Sequence, residues 1–180
     1  MRDMVEGKYH RRSIRLSGYD YSQYGWYFVT MCADGRASLF GEIKNMEMVE
    51  NHYGKIVRTF WLQIPERFAS TTVDEFMIMP NHVHGIVVVN DAVGAIHELS
   101  LHDRRVRRNM TLPKIMGWLK MNSAKQINIL RKSINPPVWQ RNYFERVIRD
   151  DKELEYVRAY IRNNPTNWAL DEENPLCQKT

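Results

Sequence analysis

Two histidines, His82 and His84, are separated by one residue in the apolar run MIMPNHVHGIVVVN, residues 77–90. Side chains alternate across a strand, so both imidazoles project from one face while Val83 projects from the other. Two imidazoles at this spacing can hold a divalent metal ion, each ring giving one nitrogen. The alternative is that one or both are interior histidines held by hydrogen bonds. Two ligands also leave a metal site incomplete, so a third must come from elsewhere in the chain.

The segment EYVRAYIRNNP, residues 155–165, offers a third ligand and a nucleophile. Tyr160 and Asn164 are four residues apart on a predicted helix and therefore lie on the same side of it. The apolar stripe that would dock this helix on a sheet is formed by Leu154, Val157 and Ile161. An asparagine oxygen suits a hard cation. The alternatives are a core-edge position for Tyr160 and a helix C-cap role for Asn164, which precedes Pro165.

A tyrosine nucleophile and a metal site belong together on chemical grounds. A phenol has a pKa near 10 and is a poor nucleophile at neutral pH. We expect it to need a metal ion that polarises the phosphate oxygen and positions the scissile bond of a phosphodiester. The two histidines and the tyrosine helix therefore predict phosphodiester chemistry.

Strands and helices alternate along the chain in a pattern typical of an α+β domain. Residue types, turn signals and apolar spacing predict a hairpin of strands 25–33 and 37–43, a helix over 45–65, strands 72–79 and 82–90, a loop over 91–109, a helix over 111–130, a short extended piece within 136–149 and a helix over 150–164. Asn45 and Thr111 are the expected N-caps, and Pro65 the expected end of the first helix. This order favours a ferredoxin-like antiparallel β-sheet with helices packed on one face.

The positive charge of the chain is concentrated in one segment. Residues 101–150 carry 12 lysines and arginines against three acidic residues, a net charge of +9, whereas the whole chain carries +5 and the remainder therefore −4. A basic segment in a mildly acidic chain indicates a local contact with a polyanion such as nucleic acid. The densest cluster is RRVRR at 104–108. A solvated helix or loop is the alternative.

Length and cysteine usage narrow the class of protein. The 180 residues fit one domain with a hydrophobic core. No stretch approaches the ~20 apolar residues of a membrane span, and the first residues lack the apolar core of a signal peptide. The two cysteines, Cys32 and Cys177, make neither a disulfide framework nor a metal-binding motif. We therefore expect a cytoplasmic protein with no membrane partner.

Three separated motifs resemble one family. They are MPNHVHGIVVV at 79–89, WQRNYFERVIRD at 139–150 and YIRNNP at 160–165. In this order and at this separation they resemble the single-tyrosine HUH transposases, which are IS200-like, and most of all their REP-associated tyrosine transposase branch. The resemblance covers roughly residues 10–176. The chain would then divide into a basic N-terminal arm (1–23), a catalytic domain (24–170) and a C-terminal tail (171–180).

The resemblance implies a ferredoxin-like HUH domain that cuts and rejoins single-stranded DNA at hairpins. The histidines of the HUH motif correspond to His82 and His84, the nucleophile to Tyr160, and the helix ligand to Asn164. Members of this family hold Mg²⁺ or Mn²⁺ among these groups and form a covalent link between the tyrosine and a DNA 5′-phosphate. The implied partner is single-stranded or hairpin DNA, the implied setting is the bacterial cytoplasm and the nucleoid when bound to DNA, and the protein is a monomer or a homodimer.

Basic residues near these motifs are the candidate DNA contacts. They are Arg11, Arg12, Arg15, Lys114, Lys120, Lys125 and Arg141. Trp118 and Trp139 could stack on bases, but a core position is favoured for both. Two other functions fit the same residues. One is a metal-dependent nuclease that uses water instead of Tyr160, and the other is a non-catalytic protein, derived from a transposase, that binds hairpin DNA.

Overall fold

The computed structural model of the chain describes residues 19–90, 110–171 and 173–175. The strands are β1 (Gly25–Cys32), β2 (Gly41–Lys44), β3 (Glu47–Glu50), β4 (Thr71–Ile78), β5 (His82–Val89) and β6 (Phe144–Ile148). The α-helices are α1 (His52–Leu62), α2 (Ile64–Arg67), α3 (Thr111–Arg131) and α4 (Asp151–Asn163), and two short 3-10 turns span Asp34–Arg36 and Trp168–Leu170. In these ranges, every helix is too short or too polar to cross a lipid bilayer. The predicted loop over 91–109 and most of the predicted arm lie outside the described residues.

Four strands form one antiparallel sheet in the order β4-β5-β1-β6, and the α+β class is confirmed. The inner strands β5 and β1 pair in continuous register from Gly25 with Val89 to Cys32 with His82. In this register His84 lies opposite Thr30. The two histidines therefore lie at one end of the sheet, on its innermost pair of strands, where β5 begins and β1 ends.

Helices cover both faces of this sheet, which differs from the expectation of helices on one face. The face that carries Tyr27, Val29 and Met31 packs against α1 and α3. The opposite face carries Phe28, Ile86 and Val88, and α4 packs there through Leu154, Val157 and Ile161. The reason lies in the inner strands. Because β1 and β5 are apolar on both faces, one covered face would leave a row of large side chains in water.

The region between β1 and α1 also differs from the predicted hairpin and long helix. Residues 41–44 do not return along β1, because they pair with 47–50 in a separate two-stranded sheet. Asn45 lies in the tight turn between these strands with φ 50°, a conformation that asparagine tolerates. The N-cap of α1 is Asn51, whose side chain accepts hydrogen bonds from the backbone of Tyr53 and Gly54.

The other helix boundaries shift by small amounts. Pro65 lies in the first turn of α2 and does not end a long helix. Proline fits a first helical turn because the missing N–H has no partner there in any case. Thr111 is the first residue of α3, and the N-cap position belongs to Met110, whose side chain makes no capping bond. The predicted start of the last helix is confirmed to within a residue, with Asp150 as its N-cap.

Gly85 allows α1 to approach the inner strand closely. A Cβ atom at this position would lie 2.3 Å from Cζ2 of Trp61 and 2.9 Å from Cβ of Phe76. The Trp61 ring is completely buried and stacks on Phe76 with centroids 5.5 Å apart. The glycine that follows the two histidines on β5 is thus a packing requirement of the fold.

We expect Gly85→Ala to lower the free energy of unfolding by about 3 kcal/mol, because the added methyl group overpacks a core that has no room to expand. Gly117→Ala is the matched control. Gly117 is exposed in α3, and a methyl group added there would meet no atom within 4 Å, so alanine should raise stability by about 1 kcal/mol. Urea denaturation of both variants measures the difference. Equal stability of the two variants would contradict the packing role of Gly85.

Candidate metal and tyrosine site

His82 is the first residue of β5 and is completely buried. Its Nδ1 atom lies 2.8 Å from Oδ1 of Asn81. The amide nitrogen of Asn81 donates to the backbone carbonyls of Arg36, at 3.1 Å, and Glu173, at 2.7 Å, which leaves the amide oxygen facing the ring. An amide oxygen only accepts, so the imidazole proton lies on Nδ1 and the lone pair on Nε2. That Nε2 atom is buried and has no hydrogen-bond partner among the described residues.

His84 projects from the same face of β5 and is also buried. Its Nδ1 atom lies 2.7 Å from Oγ1 of Thr30, the residue opposite on β1. Its Nε2 atom lies 3.2 Å from the hydroxyl oxygen of Tyr160. With the proton on Nδ1, donated to Thr30, the Nε2 lone pair points toward the tyrosine. The rings of the two histidines lie with centroids 4.3 Å apart.

Burial keeps both imidazoles uncharged near neutral pH. It lowers the pKa of His82 to about 4, although the carboxylate of Asp171 and the side chain of Asn164 oppose this effect. Burial also lowers the pKa of His84 well below its usual value, and the neighbouring His82 adds to the effect. Neutral imidazole is the form that binds a metal ion. The two rings are therefore in the state that a ligand requires.

Helix α4 carries the tyrosine to the histidine face. Its apolar residues Leu154, Val157 and Ile161 are buried against the sheet. Tyr160 lies at the edge of this stripe and is 40% exposed, and its ring contacts His84 and Phe28. Tyr160 therefore occupies a position at the edge of the core and also approaches the histidines, so the two interpretations of this residue are compatible.

Asn164 is the C-cap residue of α4, as the alternative interpretation has it, yet its side chain is buried and points toward the histidines. The amide nitrogen donates to Oδ2 of Asp171 at 2.9 Å. This bond fixes the orientation of the amide, and the oxygen is left buried with no hydrogen-bond partner among the described residues. Two buried acceptors, this oxygen and Nε2 of His82, thus belong to one small cluster.

Asp171 is the acidic member of the cluster, and sequence reasoning missed it. One side-chain atom each from His82, His84 and Asp171 lie within 4.8 Å of one another. Asp171 follows the 3-10 turn after α4, in a segment without the period of a strand or a helix, so residue spacing gave no signal for it. Two neutral imidazoles, an amide oxygen and a carboxylate form a donor set that fits a divalent cation.

The candidate DNA contacts are distributed over two regions. Lys114 and Lys125 are exposed on α3, which packs on the face opposite the histidines. Arg141 is exposed next to Gln140, whose backbone nitrogen donates to Cys32 at the histidine end of the sheet. Lys120 donates to the backbone carbonyls of Gln140 and Asn142, each at 2.7 Å, and so ties α3 to this loop. Arg11, Arg12 and Arg15 lie outside the described residues.

Both tryptophans considered for base stacking belong to the core side of the molecule, as expected. Trp139 is buried, and its ring nitrogen donates to Oγ of Ser123 at 3.0 Å. Trp118 is half-buried and packs edge-on against Phe60 and Phe68. Packing within the domain therefore accounts for the position of each ring.

The chain is similar in sequence to two proteins of Haemophilus influenzae. It is 39% identical over 169 residues to an uncharacterized protein, and the alignment covers 92% of this chain and 94% of that protein. It is 28% identical to a candidate REP-associated tyrosine transposase, over 85% of this chain and 77% of the relative. The similarity to both relatives therefore extends over most of the chain.

A family model matches part of the chain, and a solved structure has a similar fold. The model for IS200-like transposases matches residues 104–164, a range that includes Tyr160 and Asn164 but not the two histidines. The fold is similar to a solved structure of a REP-associated tyrosine transposase bound to a REP hairpin, with a TM-score of 0.51 and 18% identity. That comparison covers 93% of this chain and 77% of the solved chain.

The buried histidines predict a loss of stability in acid. The pKa of His82 is lowered in the folded state, so between its usual value of about 6.5 and about 4 the unfolded chain binds a proton that the folded chain does not. Stability therefore falls as the pH falls through this window, by about 3 kcal/mol from His82 alone. Urea denaturation at a series of pH values, with a chelator present, measures this slope of stability against pH. His82→Gln should flatten the slope. An unchanged slope in His82→Gln would contradict the assignment.

An ion pair fastens α4 to the edge of the sheet. Arg158 donates to both carboxylate oxygens of Asp74, at 2.8 and 2.6 Å, and to Glu155 within the helix. Hydrogen bonding from the Arg158 side chain is the main cause that lowers the pKa of Asp74. Arg158 and Tyr160 lie on the same helix, so this contact helps to set the position of the tyrosine.

We expect a double-mutant cycle of Asp74→Asn and Arg158→Gln to give a coupling of about 1 kcal/mol in the free energy of unfolding, because the pair is bidentate and less than a third exposed. The exposed pair Glu42 and Lys44 is the control, with an expected coupling near zero. Urea denaturation measures both cycles. Indistinguishable couplings would show that the Arg158 contact does not hold α4.

Proposed function

The chain belongs to the IS200-like transposase family, and on this premise we propose that it is a metal-dependent, single-tyrosine DNA strand transferase of the REP-associated type. In this proposal it cleaves and rejoins single-stranded DNA at hairpin elements through a covalent link between Tyr160 and a 5′-phosphate. The observation that carries the proposal is the distance of 3.2 Å between the hydroxyl oxygen of Tyr160 and Nε2 of His84. Both groups belong to the same chain.

The donor set supports a metal requirement. Nε2 of His82 and Oδ1 of Asn164 are buried acceptors with no hydrogen-bond partner among the described residues, and buried acceptors are costly unless a donor or a cation satisfies them. In the proposal His82, His84 and Asn164 hold Mg²⁺ or Mn²⁺. Bound there, the ion would polarise a phosphate oxygen and offset the negative charge that develops during attack.

The covalent step exchanges one phosphodiester for another. The phenol oxygen of Tyr160 forms a bond to phosphorus, and the bond from phosphorus to O3′ of the DNA breaks. The phenol loses its proton and the leaving 3′-oxygen takes one up. The number of phosphodiester bonds is unchanged, so the reverse attack by a 3′-hydroxyl can release the enzyme and rejoin DNA without an external energy source.

His84 is a weak base for the tyrosine in this proposal, since its Nε2 lone pair would be bound to the metal ion. Its pKa is lowered by burial, so the imidazole takes up a proton reluctantly. The distance of 3.2 Å between its Nε2 atom and the tyrosine hydroxyl places that hydroxyl beside the ligand atoms. The exposure of Tyr160 leaves the outer side of the phenol open to a DNA strand.

Hairpin DNA is the proposed partner. A related structure contains a REP hairpin, and the basic residues of this chain supply phosphate contacts. Of these, Arg141 is exposed near the histidine end of the sheet. The proposed setting is the bacterial cytoplasm, with the protein on the nucleoid when it is bound to DNA.

We expect Tyr160→Phe to abolish the covalent protein–DNA adduct and strand cleavage. Labelled hairpin DNA with a single-stranded flank is incubated with the protein and Mn²⁺, and adducts are resolved by denaturing electrophoresis. Tyr156→Phe is the matched control, because Tyr156 lies one turn earlier on α4 and is 71% exposed; it should form the adduct as the unmodified protein does.

Other outcomes would select the other two functions. Cleavage that persists in Tyr160→Phe, without an adduct, identifies a nuclease that uses water. Tight hairpin binding without cleavage or adduct in the unmodified protein identifies a non-catalytic binding protein. Either outcome overturns the strand-transferase proposal.

A further inference from the structure

We propose that Asp171 is a fourth ligand of the metal site and the only anionic ligand among the described residues. The inference rests on the proposed function and deepens it, since it concerns the same ion. It adds a residue that lies seven positions beyond Asn164, in the segment that sequence reasoning assigned to a C-terminal tail. The ligand set would then be two imidazole nitrogens, one amide oxygen and one carboxylate oxygen.

The position of the carboxylate carries the inference. One of its oxygens lies within 4.8 Å of a ring nitrogen of each histidine, and those two nitrogens also lie within 4.8 Å of one another. Atoms that ligate one divalent ion at about 2.0–2.6 Å are necessarily less than about 5 Å apart. The carboxylate therefore meets the distance condition for sharing an ion with both rings.

The two buried acceptors beside it provide independent support. Nε2 of His82 and Oδ1 of Asn164 lack hydrogen-bond donors among the described residues, and the carboxylate adds negative charge next to them. Acceptors gathered without a donor repel one another. A cation among them removes this conflict. Neutral ligands alone would leave the full double charge in a desolvated site, and a carboxylate halves the uncompensated charge.

Asp171 lies in a segment that is fastened to the rest of the site. Its Oδ1 atom accepts from the backbone nitrogen of Glu173 at 2.7 Å. Glu173 in turn forms an ion pair with Arg36 at 2.9 Å, and its backbone carbonyl accepts from Asn81, the residue that orients His82. The carboxylate is thus held by the same group of contacts that sets the direction of the histidine lone pair.

An orienting role through Asn164 is the alternative, because Asp171 also accepts the hydrogen bond from that amide. A double-mutant cycle separates the two roles. If Asp171 acts only by orienting Asn164, its replacement has no further effect once the Asn164 side chain is removed. If it ligates the ion directly, its replacement weakens binding in both backgrounds.

The experiment is a calorimetric titration of the full chain with Mn²⁺ alone, which measures the Mn²⁺ affinity. It is carried out on the unmodified protein, Asp171→Asn, Asn164→Ala and the double variant. We expect Asp171→Asn to weaken Mn²⁺ binding by about tenfold or more, in both backgrounds. Asp171→Ser is a second variant, for which we expect the same loss of Mn²⁺ affinity. The control is Asp151→Asn, which removes one carboxylate at the exposed start of α4, about 20 Å of helix away from Asn164; its Mn²⁺ affinity should be unchanged.

The outcomes distinguish this inference from the function on which it rests. Loss of affinity on Asp171→Asn in both backgrounds supports the ligand assignment. Loss only when Asn164 is present, or no loss at all, overturns it while Mn²⁺ binding and the proposed strand transfer stand. Absence of Mn²⁺ binding by the unmodified protein overturns both the ligand assignment and the metal-dependent function.

Discussion

The buried side chain of Asn81 constrains the whole site. Its amide nitrogen is committed to two backbone carbonyls, so its oxygen must face His82 and accept the Nδ1 proton. The opposite nitrogen of the ring therefore presents a lone pair. Those carbonyls belong to Arg36, after β1, and Glu173, after α4, so one amide links the orientation of the histidine to the two segments that close the end of the sheet. Asn81, which lies between β4 and β5, thus determines which ring nitrogen of His82 carries the free lone pair.

The same region shows how a small α+β domain can bury polar groups and still be stable. Nδ1 of His84 is paired with the hydroxyl of Thr30, and the amide nitrogen of Asn164 donates to Asp171. Two acceptors of the site, Nε2 of His82 and Oδ1 of Asn164, have no hydrogen-bond partner among the described residues. Buried acceptors without donors destabilise a fold, and such a concentration of them at one place is typical of a site that a ligand completes.

The two-sided core explains why the tyrosine can reach the histidines. The inner strands are apolar on both faces, so a helix must cover the histidine face as well as the opposite one. Helix α4 is that cover, and its apolar stripe ends beside Tyr160 and Asn164. The hydrophobic contact that stabilises the sheet and the placement of the nucleophile therefore have the same cause. The ion pair between Arg158 and Asp74 then limits how α4 can shift along the sheet edge.

Local periodicity was enough to predict part of the site. Strand alternation places His82 and His84 on one face, and helical spacing places Tyr160 and Asn164 on one side of α4. The α+β class followed from the order of elements, but the pairing partner of 41–44 and the use of both sheet faces did not, because register and layer depend on contacts between segments distant in sequence. Asp171 and the role of Asn81 were decided only by the tertiary structure. Asn81 acts through hydrogen bonds to residues more than 40 positions away, and Asp171 acts from an irregular turn. Neither arrangement produces a periodic pattern in the sequence.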